Sequence, residues 1–311
     1  MKFNKPKFWD NKKPNLFAYL LLPLTLVIFL INNIKKKSHT KIAKIKTICV
    51  GNIYIGGTGK TPISIMLNNI INNLNYKTAF IKKYYSDQVD EQNLLKKNGL
   101  LITGKNRLNA LNDAVNNEVQ IAIFDDGLQD RSLNYDISLV CFNINKWIGN
   151  GMLLPAGPLR EKLNSLKKYN AVFLNGNGED DTNIKNIIKK YNPTIKIFTS
   201  KYTLLKNSNI DKSFNYLVFS GIGNPESFIK TLKDNDYKII KSLNFPDHYD
   251  YRLEDINKIK LEAKKNNAKI ITTEKDYLRL NLKNVEEINY VKCELQVENK
   301  NELIKFVKES L

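Results

Sequence analysis

A strand, a glycine-rich turn and a helix follow one another near residue 50, and this order restricts the fold more than any other feature. Residues 47–50 (TICV) are β-branched or apolar and follow Lys46, and the turn GNIYIGGTGKTP comes next at 51–62. A buried strand is predicted there, and residues 62–74 predict a helix, since proline is tolerated in a first turn. In a phosphate-binding loop, this order aims backbone N–H groups at phosphate oxygens.

The turn departs from the usual phosphate-loop pattern, G-x-x-x-x-G-K-[ST], at one position. Tyr54 stands where the first glycine should fall. In such a loop, Lys60 would neutralise the β- and γ-phosphates and the Thr61 hydroxyl would bind Mg²⁺. The alternative is an ordinary strand–helix turn. The residues predicted to bind the nucleotide are Gly56, Gly57, Thr58, Gly59, Lys60 and Thr61.

Apolar runs of strand length alternate with helical stretches through the rest of the chain. Further strands are predicted at 119–124, 136–142, 170–175 and 194–200 and, after a polar stretch at 201–215, at 216–220, 237–243, 268–273 and 288–295. Strands that alternate with helices indicate an α/β fold, here a mostly parallel sheet of the P-loop NTPase type with helices on both faces. The second series predicts a smaller α/β unit.

The length of 311 residues suggests about two domains. We predict a membrane-associating segment at 1–40, a P-loop kinase-like nucleotide-binding domain at 41–205, and a smaller α/β domain at 206–311 that completes a cleft.

An uncharged apolar run at residues 16–31 (LFAYLLLPLTLVIFLI) has lysines on both sides. As a helix it would be about 24 Å long, short of a bilayer core of roughly 30 Å, and Pro23 would interrupt or kink it. The run could be a buried core helix, a short membrane span or a segment lodged in one leaflet. The flanking lysines favour contact with anionic headgroups, which predicts membrane association.

The net charge of +18 comes from 49 basic and 31 acidic residues. A basic chain suits nucleic acid, an anionic membrane or an acidic substrate, although a composition rich in Lys, Asn and Ile also explains part of the excess. No RNP, zinc-finger or heptad pattern supports nucleic acid, so we predict none. The three cysteines form no C-x-x-C pair, which argues against a zinc site or disulfide framework and fits a reducing compartment.

Acidic residues and a histidine are the other candidates for chemistry. Asp125 and Asp126 end the predicted strand 119–124, where they could hold the water shell of a metal or form a solvated strand end. His248 follows Asp247 in FPDHYDY (245–251) and could serve a kinase, which needs a general base near the acceptor hydroxyl. The segment TTEKD (272–276) has the letters of a guanine-binding motif in the wrong spacing.

Six stretches in one order resemble the tetraacyldisaccharide 4'-kinase family, the lipid A 4'-kinases of Gram-negative bacteria. They extend from about residue 45 to 280: VGNIYIGGTGKTP, DDGLQDRSL, LLPAGPLRE (153–161), FSGIGNP (219–225), FPDHYDY and ITTEKD (271–276). The apolar segment at the amino terminus is similar to the membrane-associating helix of that family. The family also lacks the first glycine of the phosphate loop, usually with a small polar residue there.

The resemblance implies ATP-dependent phosphorylation, with Mg²⁺, of the 4'-hydroxyl of a tetraacylated glucosamine disaccharide 1-phosphate. It implies a peripheral or monotopic protein on the cytoplasmic face of the inner membrane. It also implies that Asp90 is the catalytic base, paired with His248, and that Arg160 stabilises developing charge. The remaining implied site residues are Glu161 at the metal, with Thr61, Asp125 and Asp126, and then Glu91, Gln129 and Asp247.

Two departures from the family pattern affect the site. IKKYYSD (81–87) stands where the family usually has S-R-G-Y-G, so Lys82 or Lys83 could replace the arginine charge, and Asp130 replaces a histidine. Two other functions stay open: a membrane-associated P-loop NTPase that drives a protein partner, and a basic nucleic-acid binder with a decayed nucleotide loop.

Overall fold

The chain folds around two sheets. The computed structural model describes residues 5–34, 44–85, 88–205, 210–247, 249–280 and 285–311, and within these ranges it has an eight-stranded and a four-stranded sheet. The strands are β1 (Lys46–Gly51), β2 (Thr78–Lys83), β3 (Leu101–Gly104), β4 (Ile121–Asp125), β5 (Ile137–Asn143), β6 (Ala171–Gly176), β7 (Lys196–Leu204), β8 (Asn215–Ser220), β9 (Lys238–Asn244), β10 (Lys269–Thr273), β11 (Ile288–Val291) and β12 (Cys293–Val297).

The helices lie before and between these strands. They are α1 (Leu16–Leu20), α2 (Leu22–Ile34), α3 (Lys60–Asn72), α4 (Val89–Asn98), α5 (Arg107–Asn116), α6 (Thr182–Tyr191), α7 (Pro225–Lys233), α8 (Leu253–Lys265), α9 (Glu274–Tyr277) and α10 (Lys300–Ser310), with 3₁₀ turns at Lys7–Asp10 and Leu163–Lys168.

The larger sheet has the order β12-β7-β6-β5-β1-β4-β2-β3 and is parallel except for β12. Its central strands are apolar and buried along their whole length, as in β4, because a parallel sheet is covered on both faces. On one face α3 packs through Ile63 and Leu67, and on the other α5 packs through Leu111. The predicted mostly parallel sheet with helices on both faces is therefore confirmed.

The smaller sheet has the order β11-β10-β8-β9 and is parallel throughout. The single strand predicted at 288–295 is wrong, because β11 pairs with β10 whereas β12 pairs antiparallel with β7 of the larger sheet. Apolar residues continue across Lys292, so the sequence has no turn signal where the chain changes sheets.

The end of the chain belongs to the core of the larger sheet. Leu295 of β12 and Leu303 of α10 are buried in the cluster that also contains Ile63. The predicted domain division at 205/206 stays a prediction, and the structure adds that residues 293–311 return to the first unit.

The apolar segment at the amino terminus forms two helices that break at Leu21, and Pro23 lies in the first turn of α2. Leu16, Phe17 and Leu20 are 72%, 64% and 67% exposed, so the segment is not a buried core helix. In the part of the chain that the structure describes, no helix is long and apolar enough to cross a membrane.

A few contacts dock this segment on the larger unit. Trp9 is buried and donates its indole N–H to the Pro155 carbonyl at 3.1 Å. The Thr25 hydroxyl accepts a hydrogen bond from the Ala156 amide at 3.2 Å. The exposed apolar face is therefore held at one place on the protein surface.

Candidate active site

The turn after β1 has the backbone of a phosphate-binding loop. Gly57 and Gly59 adopt φ of +30° and +82°, a region that favours glycine, and Gly59 is the N-cap of α3. A Cβ on Gly59 would lie 2.5 Å from the Asn175 amide nitrogen, so the loop passes too close to β6 for a side chain. Lys60 and Thr61 therefore begin a helix whose first amides can point at a bound anion.

Polar side chains at the ends of neighbouring strands fix this loop. Asn175 of β6 donates to the Thr58 carbonyl and accepts from the Ser200 hydroxyl of β7. The Asn52 amide donates to the Thr58 hydroxyl at 3.0 Å. Sequence reasoning missed Asn175 and Ser200, since an isolated Asn or Ser after a strand is a common feature of loops.

Tyr54, the departure from the phosphate-loop pattern, points away from the phosphate position. Its side chain is 1% exposed, and its hydroxyl donates to the Asp10 carboxylate, which Lys5 also contacts. The backbone at Tyr54 forms an antiparallel bridge with Leu159. The bulky residue is therefore accommodated by the amino-terminal segment and leaves the loop open.

Asp125, at the end of β4, is fully buried and paired. Its Oδ2 accepts from Lys82 Nζ at 2.6 Å and Thr61 Oγ1 at 3.1 Å, and its Oδ1 accepts from Ser64 Oγ at 3.3 Å. The contact with Thr61 is the one that an acidic residue near the metal's water shell should make. The predicted role of Asp125 at a metal stays a prediction.

Lys82, from the altered IKKYYSD segment, joins Asp125 to α4. Its side chain is 2% exposed, and its Nζ also donates to Glu91 Oε2 at 2.8 Å. Burial would lower the pKa of Lys82, but the charges and hydrogen bonds of Asp125 and Glu91 outweigh burial and raise it. Lys83 instead lies over the Tyr85 ring at 5.4 Å. Of the two lysines considered, Lys82 therefore supplies the buried charge.

The carboxylate of Asp126, the next residue, points toward Lys60 of the phosphate loop. Asp126 has φ of +65°, which turns its carboxylate toward Arg160 NH1 at 3.0 Å and Lys60 Nζ at 3.8 Å. Burial would raise the pKa of Asp126, but the charges of Lys60 and Arg160 and the Arg160 hydrogen bond hold it below its ordinary value. An ionised carboxylate next to two cations is thus placed where phosphates would bind.

Glu161 and Gln129 extend this group. The Gln129 amide donates to Glu161 Oε1 and accepts from Arg160 NH1, each at 3.0 Å, while Tyr169 donates to Glu161 Oε2 at 3.0 Å. Within the described ranges no cluster of three or more His, Cys, Asp or Glu could hold a metal alone. Mg²⁺ commonly binds through one or two carboxylates together with substrate phosphates, so Asp126, Glu161 and the Thr61 hydroxyl fit it.

Asp130, the second departure, forms an ion pair with Arg107 of α5. The Arg107 guanidinium lies 3.1 Å from the Asp130 carboxylate and also donates to the Asp126 carbonyl. These contacts attach the DDGLQD turn to α5. The aspartate that stands in place of the family's histidine therefore helps to fix the turn.

Asp90 and Glu91 lie in the first turn of α4 and contact the smaller unit. Asp90 Oδ2 lies 2.5 Å from Arg279 NH2 and 3.3 Å from Lys275 Nζ, and both cations come from the smaller unit. Lys275 also lies 3.6 Å from Glu91 and 3.8 Å from Asp247. The structure therefore brings Asp90, Glu91 and Asp247 together, whereas the predicted partner His248 lies outside the described residues.

A cleft of about 970 Å³ is lined by residues of both groups. Its lining includes the phosphate loop from Gly57 to Pro62 together with Glu91, Asp247 and Lys275. The units also meet at the loop itself, where a Cβ on Gly57 would lie 2.7 Å from the Gly223 carbonyl oxygen. Lys146 Nζ donates to that same carbonyl at 2.6 Å.

Sequence reasoning missed both cations that hold Asp90. The segment that contains Lys275 was recognised as a motif, but its charges carried no indication of a partner, and Arg279 lies beyond it. The sequence feature that could have indicated these cations is the acidic pair Asp90 and Glu91, since buried carboxylates need a cation or hydrogen-bond donors nearby.

A left-handed glycine turn, a lysine and threonine at the start of a helix, and an acidic strand end on a parallel sheet define a P-loop nucleotide-binding protein. The sequence profile of the family described as Tetraacyldisaccharide-1-P 4'-kinase matches residues 17–311. The chain therefore belongs to that family of lipid kinases.

Relatives and one solved structure agree. The chain is 54% identical to the tetraacyldisaccharide 4'-kinase of Pelagibacter ubique (strain HTCC1062) over 97% of this chain and 96% of that protein. It is 36% identical to the tetraacyldisaccharide 4'-kinase of Rickettsia bellii (strain OSU 85-389) over 90% of each. The "apo" form LpxK of Aquifex aeolicus, crystallised in complex with ATP, superposes with a TM-score of 0.70 at 21% identity, covering 95% of this chain and 99% of that one. This last likeness shows the fold.

Proposed function

We propose that this chain transfers the γ-phosphate of ATP to the 4'-hydroxyl of a tetraacylated glucosamine disaccharide 1-phosphate, a step of lipid A biosynthesis. Family membership supports the reaction. The observation that carries the proposal at this site is the cleft, whose lining contains the phosphate loop as well as Glu91 and Asp247. A phosphate donor and an alcohol acceptor can meet there.

The donor side binds and neutralises the triphosphate. The amides at the start of α3 and the Lys60 ammonium would hold the β- and γ-phosphates, and Arg160, 3.0 Å from Asp126, would stabilise charge that develops on the transferred group. Thr61, Asp126 and Glu161 would hold Mg²⁺, which supplies charge neutralisation of the phosphate oxygens when it is bound.

The acceptor side removes a proton. The 4'-oxygen attacks the γ-phosphorus, its proton passes to Asp90 acting with His248, and the bond from the γ-phosphorus to the bridging oxygen breaks so that ADP leaves with that electron pair. A base of this kind contributes about 10²- to 10⁴-fold, and alignment and charge neutralisation contribute the rest.

The exposed helices α1 and α2 suit a peripheral or monotopic position on the cytoplasmic face of the inner membrane. Leu26, Val27 and Leu30 are 62%, 50% and 50% exposed. Monomeric soluble proteins rarely expose a continuous apolar surface of this kind. The Lys162 ammonium lies 5.2 Å from the centre of the Phe29 ring, where it can reach an anionic headgroup. A lipid substrate would then reach the cleft from the membrane surface.

The reaction is tested by incubating the protein with labelled ATP, Mg²⁺ and the disaccharide lipid in detergent. We expect transfer by the wild type, a loss of about 10²- to 10⁴-fold in Asp90→Asn, and normal rates in Asp113→Asn, which changes an exposed carboxylate on α5. Absence of transfer by the wild type would refute the kinase proposal. ATP turnover that needs neither lipid nor Asp90 would instead favour an NTPase that drives a protein partner.

Membrane attachment is tested by Phe17→Gln with Leu20→Gln. We expect this variant to shift from the membrane to the supernatant of fractionated cells, because two exposed apolar side chains are lost. Leu261→Gln is the matched control, since Leu261 is 60% exposed on α8. Equal membrane recovery of the two variants would contradict the proposed attachment.

A further inference from the structure

Apart from Lys275, the segment ITTEKD has no role in the chemistry described so far, yet it lies at the junction of three family motifs. β10 ends at Thr273, and α9 begins at Glu274. Asp276 is fully buried and accepts hydrogen bonds from Thr273 Oγ1 at 2.7 Å, the Gly221 amide at 3.0 Å and the Tyr251 hydroxyl at 3.0 Å. This one carboxylate therefore ties together the FSGIGNP turn, the end of FPDHYDY and its own motif.

Arg279 extends this network to α4 of the larger unit. Its NH1 donates to Asp276 Oδ1 at 3.0 Å and to the Gly221 carbonyl at 2.7 Å. Its Nε and NH2 donate to Asp90 Oδ2 at 3.2 and 2.5 Å. The planar guanidinium thus has one edge fixed in the smaller unit and the other on the first turn of α4.

The pair is buried, with 9% of the Arg279 side chain and 8% of the Asp90 side chain exposed. An exposed ion pair contributes little to stability, but a guanidinium held by several acceptors has one orientation. Lys275, 3.3 Å from the same Asp90 oxygen, has a single ammonium and a flexible stem, so it supplies charge without fixing direction.

We propose that Arg279, anchored by Asp276, is a positioning residue that sets the orientation of Asp90 toward the acceptor hydroxyl. The TTEKD segment would then orient the catalytic carboxylate of Asp90. It would not recognise a nucleobase, although its residue types resemble those of a guanine-binding motif. The proposal rests on the proposed role of Asp90 as the base. A displacement of about 1 Å can cost on the order of 10²-fold in rate, so loss of this anchor should lower kcat more than substrate affinity.

The test compares Arg279→Met, Asp90→Asn and the double variant in the lipid phosphorylation assay. We expect Arg279→Met to lower kcat about 10- to 100-fold with KM for ATP within about 3-fold of wild type. Arg279→Lys keeps a cation opposite Asp90 and should recover part of this loss. Because Arg279 acts through Asp90, the double variant should be no slower than Asp90→Asn alone.

Controls separate this proposal from the function itself. Arg252→Met removes an exposed arginine of the same smaller unit and should keep the wild-type rate. Thermal unfolding and ATP affinity of each variant report whether the fold and the phosphate loop are intact. Losses that multiply in the double variant, or a loss confined to KM, would overturn the positioning role while the kinase activity stands. No transfer by the wild type, or full activity of Asp90→Asn, would overturn the function on which it rests.

Discussion

The two sides of the cleft are built in different ways. The phosphate side combines the glycine turn at residues 51–62 with Asp125 and Asp126 at the end of the neighbouring strand β4, and strand-end side chains of the same sheet fix it. The acidic side, Asp90, Glu91 and Asp247, is assembled from two units and is held by side-chain ion pairs such as Asp90 with Arg279, 189 residues apart in sequence. One side lies within a single sheet, and the other depends on how the two sheets meet.

This difference has a physical consequence. The amides and the glycine turn of the phosphate side are held within the larger sheet, so we expect this side to need little from the smaller unit. Ion pairs across an interface depend on both units being in place. Changes at the phosphate side should therefore affect nucleotide handling, and changes at the acidic side should affect the alignment of the base. Four predictions test this comparison.

Lys82 is the residue where both sides meet, and its loss should have the largest effect. Lys82→Met leaves the fully buried Asp125 without its cation, and breaking such a buried pair costs about 3–5 kcal/mol of unfolding free energy. Denaturant unfolding measures this. Lys83→Met, next to it in the same strand, should stay within about 1 kcal/mol of wild type. Equal losses in the two variants would rule out a special role for Lys82.

Lys60→Met should act on the phosphate side alone. Removal of one preorganised charge from the γ-phosphate position should lower kcat about 10²- to 10³-fold, with the unfolding temperature near that of wild type. The rate of lipid phosphorylation and ATP affinity are the readouts, and Lys46→Met, at the exposed start of β1, is the control. Normal turnover by Lys60→Met would remove the phosphate loop from the mechanism.

Gly57 tests the contact between the phosphate loop and the smaller unit. In Gly57→Ala the new Cβ meets the Gly223 carbonyl, whereas in Gly56→Ala it meets nothing within 4 Å, although both positions have positive φ. Overpacking of about 1–3 kcal/mol predicts that Gly57→Ala loses roughly 10-fold more kcat/KM than Gly56→Ala. Similar kcat/KM values would mean that backbone strain alone matters and that the close approach of the two units does not.

Glu179 gives the smallest expected effect, through pH. Burial would raise its pKa, but the Asn177 amide, Lys230 of α7 and Asn145 lower it to about 2. A carboxyl group whose pKa is lowered on folding stabilises the folded state at every pH above its pKa in the unfolded chain, near 4.5. This stabilisation is lost as pH falls from about 4.5 toward 2. We expect about 1 kcal/mol, since the 44% exposed Lys230 side chain is screened by solvent.

The measurement is the unfolding free energy of wild type and Glu179→Gln between pH 5 and 2.5. Other carboxylates titrate in the same window, so the difference between the two proteins is the relevant quantity. That difference should shrink as pH falls, and a constant difference would show that the charge of Glu179 is not what joins α7 to the larger unit.

Much of the fold could be predicted because buried parallel strands are continuous apolar runs, as at β4 and β5. The prediction failed at 288–295, where the residues on the two sides of Lys292 belong to two different sheets. A run of apolar residues indicates that a strand is buried. It does not indicate which strand it pairs with, because pairing is decided by the packing of distant segments.

The sequence by itself determined the local part of the phosphate side: the strand, the glycine turn and Lys60 are set by short-range backbone geometry. Only the tertiary structure decided that Lys82 is paired with Asp125, that Tyr54 packs on Asp10, and that Arg279 holds Asp90. The reason is physical. The sequence shows which residues are charged. The partner of each charged residue and the extent of its burial depend on which surfaces the folded chain brings together.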